Sequence, residues 1–250
     1  MTRAVRAVFV AALATVVMGA CTTAAQTAPA PLPEKLPLGA VVVLDPGHNG
    51  GGTPAELNRQ VPTGRGGTKA CNTSGTSTNT GYSEHAFTFD VANRVRDLLT
   101  LRGVQVIMTR NSDDGVGPCV DERAAIGNRA NAAAVVSIHG DGNDSADARG
   151  FHVAYSAPPL NDAQGEPSIR LATTLRDALA GAGFVPSNYV GSNGLNPRED
   201  LAGLNLSERP SALIECANMR DPIEAAILSS PDGRQHYAEV IANGIVAFLG

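Results

Sequence analysis

The chain has no tryptophan, and aromatic residues of all kinds make up 4% of its 250 positions. Positive charge is also scarce, with 19 Lys and Arg against 24 Asp and Glu and a formal charge of −5. Phosphate recognition needs a concentrated basic face, usually with stacking side chains, so nucleic acid is excluded as the expected partner. The same shortage leaves no broad cationic surface for gripping anionic polymers, and substrate capture has to rest on a cleft. Compact metal signatures are missing too: there is no His-Glu-x-x-His and no Cys-x-x-Cys. Any metal site must be assembled from distant segments. No internal repeat and no second block of composition appears, so no appended binding module is expected.

What is present begins with an export signature. Arg3 and Arg6 precede an apolar, uncharged run over 7–20. That run is short for a membrane span and is followed by Pro, Ala and Thr, which fits a secretory signal peptide over 1–25 better than an anchor or a buried helix. Met18-Gly19-Ala20-Cys21 resembles a lipobox, which would place a lipid on Cys21. Thr23-Ala24-Ala25 offers an ordinary cleavage site instead, and Met is a poor first lipobox residue, so plain export is favoured. The membrane is a partner only if Cys21 is lipidated. Residues 26–37 hold four prolines and no periodicity and read as a disordered linker. The folded domain is expected over 38–250. Loss of Arg3 and Arg6 would take its formal charge from −5 to −7.

Cysteine use agrees with an oxidising compartment. Cys71 and Cys119 lie in Gly-, Asn- and Ser-rich loops, whereas Cys216 sits in an apolar run and is expected as a buried thiol. Cys71–Cys119 is the favoured disulfide, with Cys119–Cys216 or free thiols as alternatives.

Periodicity places strands at 38–44, 104–109, 135–139, 151–156 and 213–216. Helices are expected over 84–102, capped by Ser83; over 121–134, capped by Asp121; over 168–182; briefly over 224–228; and over 233–248. Residues 45–82 show no sustained period and read as one long loop, of which 49–81 is a lid or grip segment on one reading and merely solvated on the other. Alternating strands and helices imply a single α/β domain with a mostly parallel twisted sheet and helices on both faces. They do not give the strand order.

Chemistry gathers at strand ends. Val41-Val42-Val43-Leu44-Asp45-Pro46-Gly47-His48 is an apolar strand that stops at a turn and presents a histidine. Val135-Val136-Ser137-Ile138-His139 repeats the pattern, and Ser211-Ala212-Leu213-Ile214-Glu215 ends in a carboxylate. Side chains just past such ends point into the crevice of an α/β fold. His48 and His139 are candidate imidazole ligands for zinc, with Glu84 at a helix start as the third ligand. His85 is the rival, but adjacent helix positions point about 100° apart, so the two do not easily share a metal. Glu215 lies between apolar neighbours, and a buried carboxylate with a raised pKa makes a good general base.

Four segments together match something known. Val-Leu-Asp-Pro-Gly-His (43–48), Gly-Tyr-Ser-Glu (81–84), Val-Ser-Ile-His-Gly-Asp (136–141) and Ala-Leu-Ile-Glu (212–215) resemble the zinc-dependent N-acetylmuramoyl-L-alanine amidases. Arg123, Asn131, Pro210 and Glu224 also fit the family pattern. The resemblance implies that His48, Glu84 and His139 hold zinc (Zn2+) and that Glu215 is catalytic, within a zinc amidase domain over 38–250. The implied reaction cuts the amide between the lactyl group of N-acetylmuramic acid and L-alanine of the stem peptide, in peptidoglycan or muropeptides. It also implies an exported hydrolase of the periplasm or cell wall, expected as a monomer. Asp45 or Asp141 would orient a ligand histidine. One departure stands out: many members follow the glutamate with Gly-Phe-x-Ser-Asn, and here Cys216-Ala217-Asn218-Met219-Arg220-Asp221 replaces it, so Asn218, Met219 and Arg220 are expected to reshape the substrate groove. Rival readings are a zinc peptidase acting on stem peptides, and an inactive binding or regulatory module on the same fold.

Overall fold

Three consecutive valines at 41–43 favour a pleated conformation, and in the computed structural model they lie in the second strand of a six-stranded sheet. The structure describes Met1 and residues 39–250. The expected signal peptide and linker, and with them Cys21, lie outside the described residues. In chain order the elements are β1 (Val41–Pro46), α1 (Pro54–Leu57), β2 (Gln60–Pro62), β3 (Thr68–Ala70), α2 (Glu84–Thr100), β4 (Gln105–Met108), α3 (Val120–Arg129) and β5 (Ala134–Asp141). There follow β6 (His152–Ser156), α4 (Glu166–Gly181), β7 (Leu195–Arg198), α5 (Ala202–Asn205), β8 (Ser211–Asn218), α6 (Pro222–Ser229) and α7 (Pro231–Leu249). Among the described residues no helix is long and apolar enough to cross a membrane.

The sheet order is β4-β1-β5-β8-β6-β7. All neighbours run parallel except β6 and β8, which are antiparallel. A parallel neighbour needs a crossover of about a dozen residues or more, usually a helix. The loop over 142–151 carries no helix, so β6 turns back and runs against β8.

One face of the sheet makes the main core. Val42, Leu44, Val136, Ile138, Ala212 and Ile214 pack there against Phe87, Val91, Val95 and Leu99 of α2, Leu171 and Leu175 of α4, and Ile241 and Ile245 of α7. Each large apolar side chain buried this way contributes roughly 1.5–3 kcal/mol. The other face is thinly covered. Val43, Ala132 and Val135 form a small cluster with Ile126 of α3. A cleft occupies the remaining space on that side.

Two expectations change. α3 starts at Val120 with Cys119 as its cap, and Asp121 sits in its first turn instead of capping it. The helix also stops at Arg129, well short of 134, because Asn131 takes a left-handed φ of 47° that turns the chain into β5. The long segment after β1 is not one irregular loop. Thr53 and Glu56 form a reciprocal capping box at α1, and β2 and β3 form an antiparallel hairpin. The Cys71–Cys119 disulfide ties that hairpin to the start of α3, and Cys216 is free and buried. Arg65 reaches from the hairpin to Asn205 Oδ1 at 3.2 Å and Ser156 Oγ at 3.1 Å, and Lys69 Nζ donates to the Asp200 carbonyl at 3.2 Å.

Candidate metal centre

The centre is built where β1 ends. His48 adopts a left-handed φ of 61°, which is uncommon for a residue with a side chain and costs of order 1–3 kcal/mol. Arg123, buried in α3, holds the turn. Its guanidinium donates to the carbonyls of Pro46 at 2.7 Å and His48 at 2.9 Å, to Asn49 Oδ1 at 3.0 Å, and to Asp45 Oδ1 at 2.7 Å. Asp45 also accepts from Thr109 Oγ1 at 2.6 Å and Ser137 Oγ at 2.7 Å. Burial alone would raise the Asp45 pKa, but the charge of Arg123 and these hydrogen bonds outweigh it and lower the pKa to about 2.

Two glycines let the ligand side chains converge. A Cβ on Gly47 would lie 2.2 Å from His139 Cε1. Gly75, at φ 79°, would place one 2.6 Å from Glu84 Oε2 and 2.9 Å from the His48 ring. Only glycine permits such an approach.

His48 Nδ1 lies 2.9 Å from the Thr73 carbonyl. A carbonyl can only accept, so Nδ1 carries the hydrogen and a neutral His48 presents a lone pair on Nε2. That lone pair faces Glu84 Oε1 at 3.0 Å, two acceptors in contact. His139 Nδ1 lies 3.0 Å from the same oxygen and 3.2 Å from His48 Nε2. Glu84 is fixed independently, Oε2 by the Thr76 N–H at 2.9 Å and Oε1 by the Gly140 N–H at 3.2 Å. Burial would raise the Glu84 pKa, but the two histidines outweigh it and lower it. Burial likewise pulls His48 down, yet the hydrogen bond and charge of Glu84 leave it raised. The arrangement therefore draws a cation.

Zinc fits this donor set. Tetrahedral bonds of about 2.0–2.1 Å put donor atoms roughly 3.3–3.4 Å apart, close to the observed triangle. Two imidazole nitrogens and one carboxylate oxygen, each within 4.8 Å of the others, also match zinc chemistry.

Glu215 stands beside the cluster, in register with His139 on the neighbouring strand. Its residue is partly exposed to the cleft, but Oε2 is buried without a hydrogen-bond partner among the described residues. Burial, then the charges of Glu84 and Asp141, push its pKa well above the usual carboxylate range. The cleft encloses about 270 Å³ and runs from His48, His139 and Glu215 toward Leu213 and Leu204, with Lys69 of the hairpin on its wall.

The structure brings His48, Glu84, His139 and Glu215 to one place. It does not bring His85 there: that ring binds Asp113 Oδ2 at 2.8 Å, and Arg110 takes the other oxygen at 2.8 Å. Neither Asp45 nor Asp141 holds a ligand histidine. Asp45 serves Arg123, and Asp141 Oδ2 accepts from the Tyr189 hydroxyl at 2.8 Å. The Thr73 carbonyl does that work for His48, and a loop carbonyl has no signature in sequence. Asn218 and Met219 do not shape a groove, since both are buried. Asn218 Nδ2 donates to the carbonyls of Asn143 at 2.9 Å and Ala148 at 2.7 Å, pinning the loop after β5.

Comparison with known proteins agrees with this geometry. The family model for N-acetylmuramoyl-L-alanine amidase matches residues 42–247. The N-acetylmuramoyl-L-alanine amidase Rv3717 of Mycobacterium tuberculosis is 51% identical over 211 residues, which span 84% of this chain and 87% of that protein. The probable cell wall amidase LytH of Staphylococcus epidermidis is 26% identical, and the match spans 84% of this chain and 59% of LytH. The crystal structure of the N-acetylmuramyl-L-alanine amidase Ami1 from Mycobacterium smegmatis superimposes with a TM-score of 0.83 at 55% identity, covering 85% of this chain and 97% of that one. On the family match across almost the whole folded region and on these relatives, the chain belongs to the N-acetylmuramoyl-L-alanine amidase family.

Proposed function

We propose that this protein is a zinc-dependent N-acetylmuramoyl-L-alanine amidase that hydrolyses the amide between the lactyl group of N-acetylmuramic acid and L-alanine of the peptidoglycan stem peptide. His48, Glu84 and His139 hold the zinc, and Glu215 is the acid/base. The observation that carries this reading is the meeting of two imidazole nitrogens and one carboxylate oxygen within 3.2 Å, beside a carboxylate that has a buried, unpartnered oxygen. Family membership supplies the substrate class.

Bound zinc would supply a Lewis acid that lowers the pKa of a water and polarises an amide carbonyl. The chain's own residues do the rest. The Thr73 carbonyl keeps the hydrogen of His48 on Nδ1, so that Nε2 faces inward. The N–H groups of Thr76 and Gly140 hold both oxygens of Glu84. Glu215 takes a proton from the attacking water and passes it to the alanine nitrogen as the carbon–nitrogen bond breaks, leaving a lactyl carboxylate and a free amine. A carboxyl that must both accept and return a proton is suited by the upward pKa shift that burial gives it.

The region over 38–250 is the catalytic domain. Export to the periplasm or cell wall, through a signal peptide over 1–25, is supported by the location of the substrate and by a disulfide that needs an oxidising compartment. The protein acts as a monomer. Glu215→Gln tests the assignment of roles. The variant should retain stoichiometric zinc and lose turnover on muropeptides by two orders of magnitude or more, in line with the loss of a general acid/base, about 10²–10⁴-fold. Near-normal turnover in a zinc-loaded variant would end the assignment.

A further inference from the structure

The ionisable side chains that line the cleft are Asp45, His48, Lys69, Arg123, His139 and Glu215. Asp45 and Arg123 cancel one another, joined at 2.7 Å. His48 and His139 face the metal position. Burial pushes Glu215 toward its uncharged form. The charge left over is Lys69, which is the only lysine between residues 39 and 250.

Lys69 is partly buried in β3. Its Nζ donates to the Asp200 carbonyl at 3.2 Å and forms no ion pair within 4.0 Å among the described residues. The Asp200 carboxylate is committed elsewhere, to the fork of Arg198 at 2.7 and 2.6 Å. An ammonium carries three donor hydrogens, and here the Asp200 carbonyl takes one. A cation drawn partly out of water without a counter-ion is costly, and an anion bound beside it removes that cost.

The ammonium is also held in place. Lys69 comes four residues before Thr73, whose carbonyl orients His48, and Ala70, Asn72 and Thr73 line the same cleft. The disulfide at Cys71 fixes this stretch, and the Val120 N–H donates to the Cys71 carbonyl at 2.9 Å. Ligand pockets usually measure about 300–1,000 Å³. At about 270 Å³ the cleft admits a short peptide and not a glycan strand.

We propose that Lys69 is a specificity residue that pairs with a free carboxylate on the second residue of the stem peptide, the one after L-alanine. Two extended residues span at most about 7 Å, so a peptide with its first nitrogen at the metal centre keeps that carboxylate inside the cleft. Lys69 touches no reacting atom and moves no proton. It acts in binding, so its effect falls on KM. The inference rests on the proposed function for the identity of the substrate and names the chemical form that the same site prefers.

The test compares two N-acetylmuramoyl tripeptides that differ only in a carboxylate or a carboxamide on the second residue. The zinc-loaded wild-type protein should show a KM about tenfold lower for the carboxylate, the low end for a hydrogen bond to a charged group. Lys69→Met should raise that KM to the value for the carboxamide and leave kcat unchanged. Kinetics on the carboxamide should not move, which controls for a disturbed hairpin. Lys69→Arg, which keeps the charge, should retain most of the preference. Equal KM values in the wild type, or equal losses on both substrates in Lys69→Met, would overturn the assignment. If the wild-type protein cleaves neither compound, the proposed function falls. Calorimetric titration of the same two compounds into that protein would still judge the carboxylate site, with tighter binding of the carboxylate expected and equal affinities contradicting it.

Discussion

Gly47→Ala should weaken metal binding through one added methyl group. Gly47 does not occupy the left-handed region, so alanine is tolerated there by the backbone and the effect is steric alone. The new Cβ would meet three atoms of the His139 ring, Cε1 at 2.2 Å, Nε2 at 2.4 Å and Nδ1 at 2.6 Å. Non-bonded carbon atoms rest about 3.5–4.0 Å apart, so the ring must retreat by more than about 1 Å. His139 Nδ1 stands 3.0 Å from Glu84 Oε1 and 3.2 Å from His48 Nε2, and a retreat of that size takes it out of the coordination triangle. Overpacking costs about 1–3 kcal/mol in stability, and displacement of one ligand should reduce zinc affinity at least about a hundredfold, or about 3 kcal/mol. Competition against a fluorescent zinc chelator measures the affinity, and denaturant unfolding measures the stability. Gly181→Ala is the control, since nothing lies within 4 Å of its added Cβ. Zinc affinity within twofold of wild type in Gly47→Ala would refute the steric reasoning and the place of His139 in the triangle.

Two further outcomes follow from the same structure. The Asp45 pKa is lowered in the folded protein from an ordinary 3.8 to about 2, so its stabilising contribution is complete above pH 3.8 and is lost as pH falls toward 2. That gap corresponds to about 2 kcal/mol; unfolding free energies of wild type should fall by that amount more than those of Asp45→Asn between pH 4 and pH 2, and parallel curves would contradict the assigned shift. A Cys71→Ser, Cys119→Ser protein loses a cross-link spanning 48 residues and should unfold about 4 kcal/mol more easily in the chain-entropy model. Its zinc stoichiometry should stay unchanged, because neither cysteine touches the ligands, and loss of zinc would show that the hairpin supports the centre directly.

The strands that carry chemistry were legible because each is an apolar run that ends on a single polar residue. Val41–Pro46 stops just before His48 as expected, but Ala134–Asp141 and Ser211–Asn218 continue past His139 and Glu215, so those two residues close the apolar runs without ending their strands. Glu84 at the first turn of α2 was readable from the helical period that follows it. β7 was not readable. It is a short edge strand containing Pro197, and proline is tolerated there only because an edge leaves backbone donors unused. Strand order was not accessible either, and with it went the antiparallel reversal of β6. His152 lies opposite Glu215 in the register only through that reversal, which no local pattern predicts. The groups that orient the ligands, the Thr73 carbonyl and the Thr76 and Gly140 N–H groups, belong to the backbone, and side-chain patterns are silent about them.

An amidase and a stem-peptide peptidase differ in which bond they cut. Zinc-loaded protein incubated with purified muropeptides, followed by mass analysis of the products, tests it directly. The expected products are free stem peptides that begin with L-alanine, together with sugars that retain an intact lactyl group. Sugars still carrying L-alanine, released with peptides cut further along the stem, would show a peptidase and contradict it.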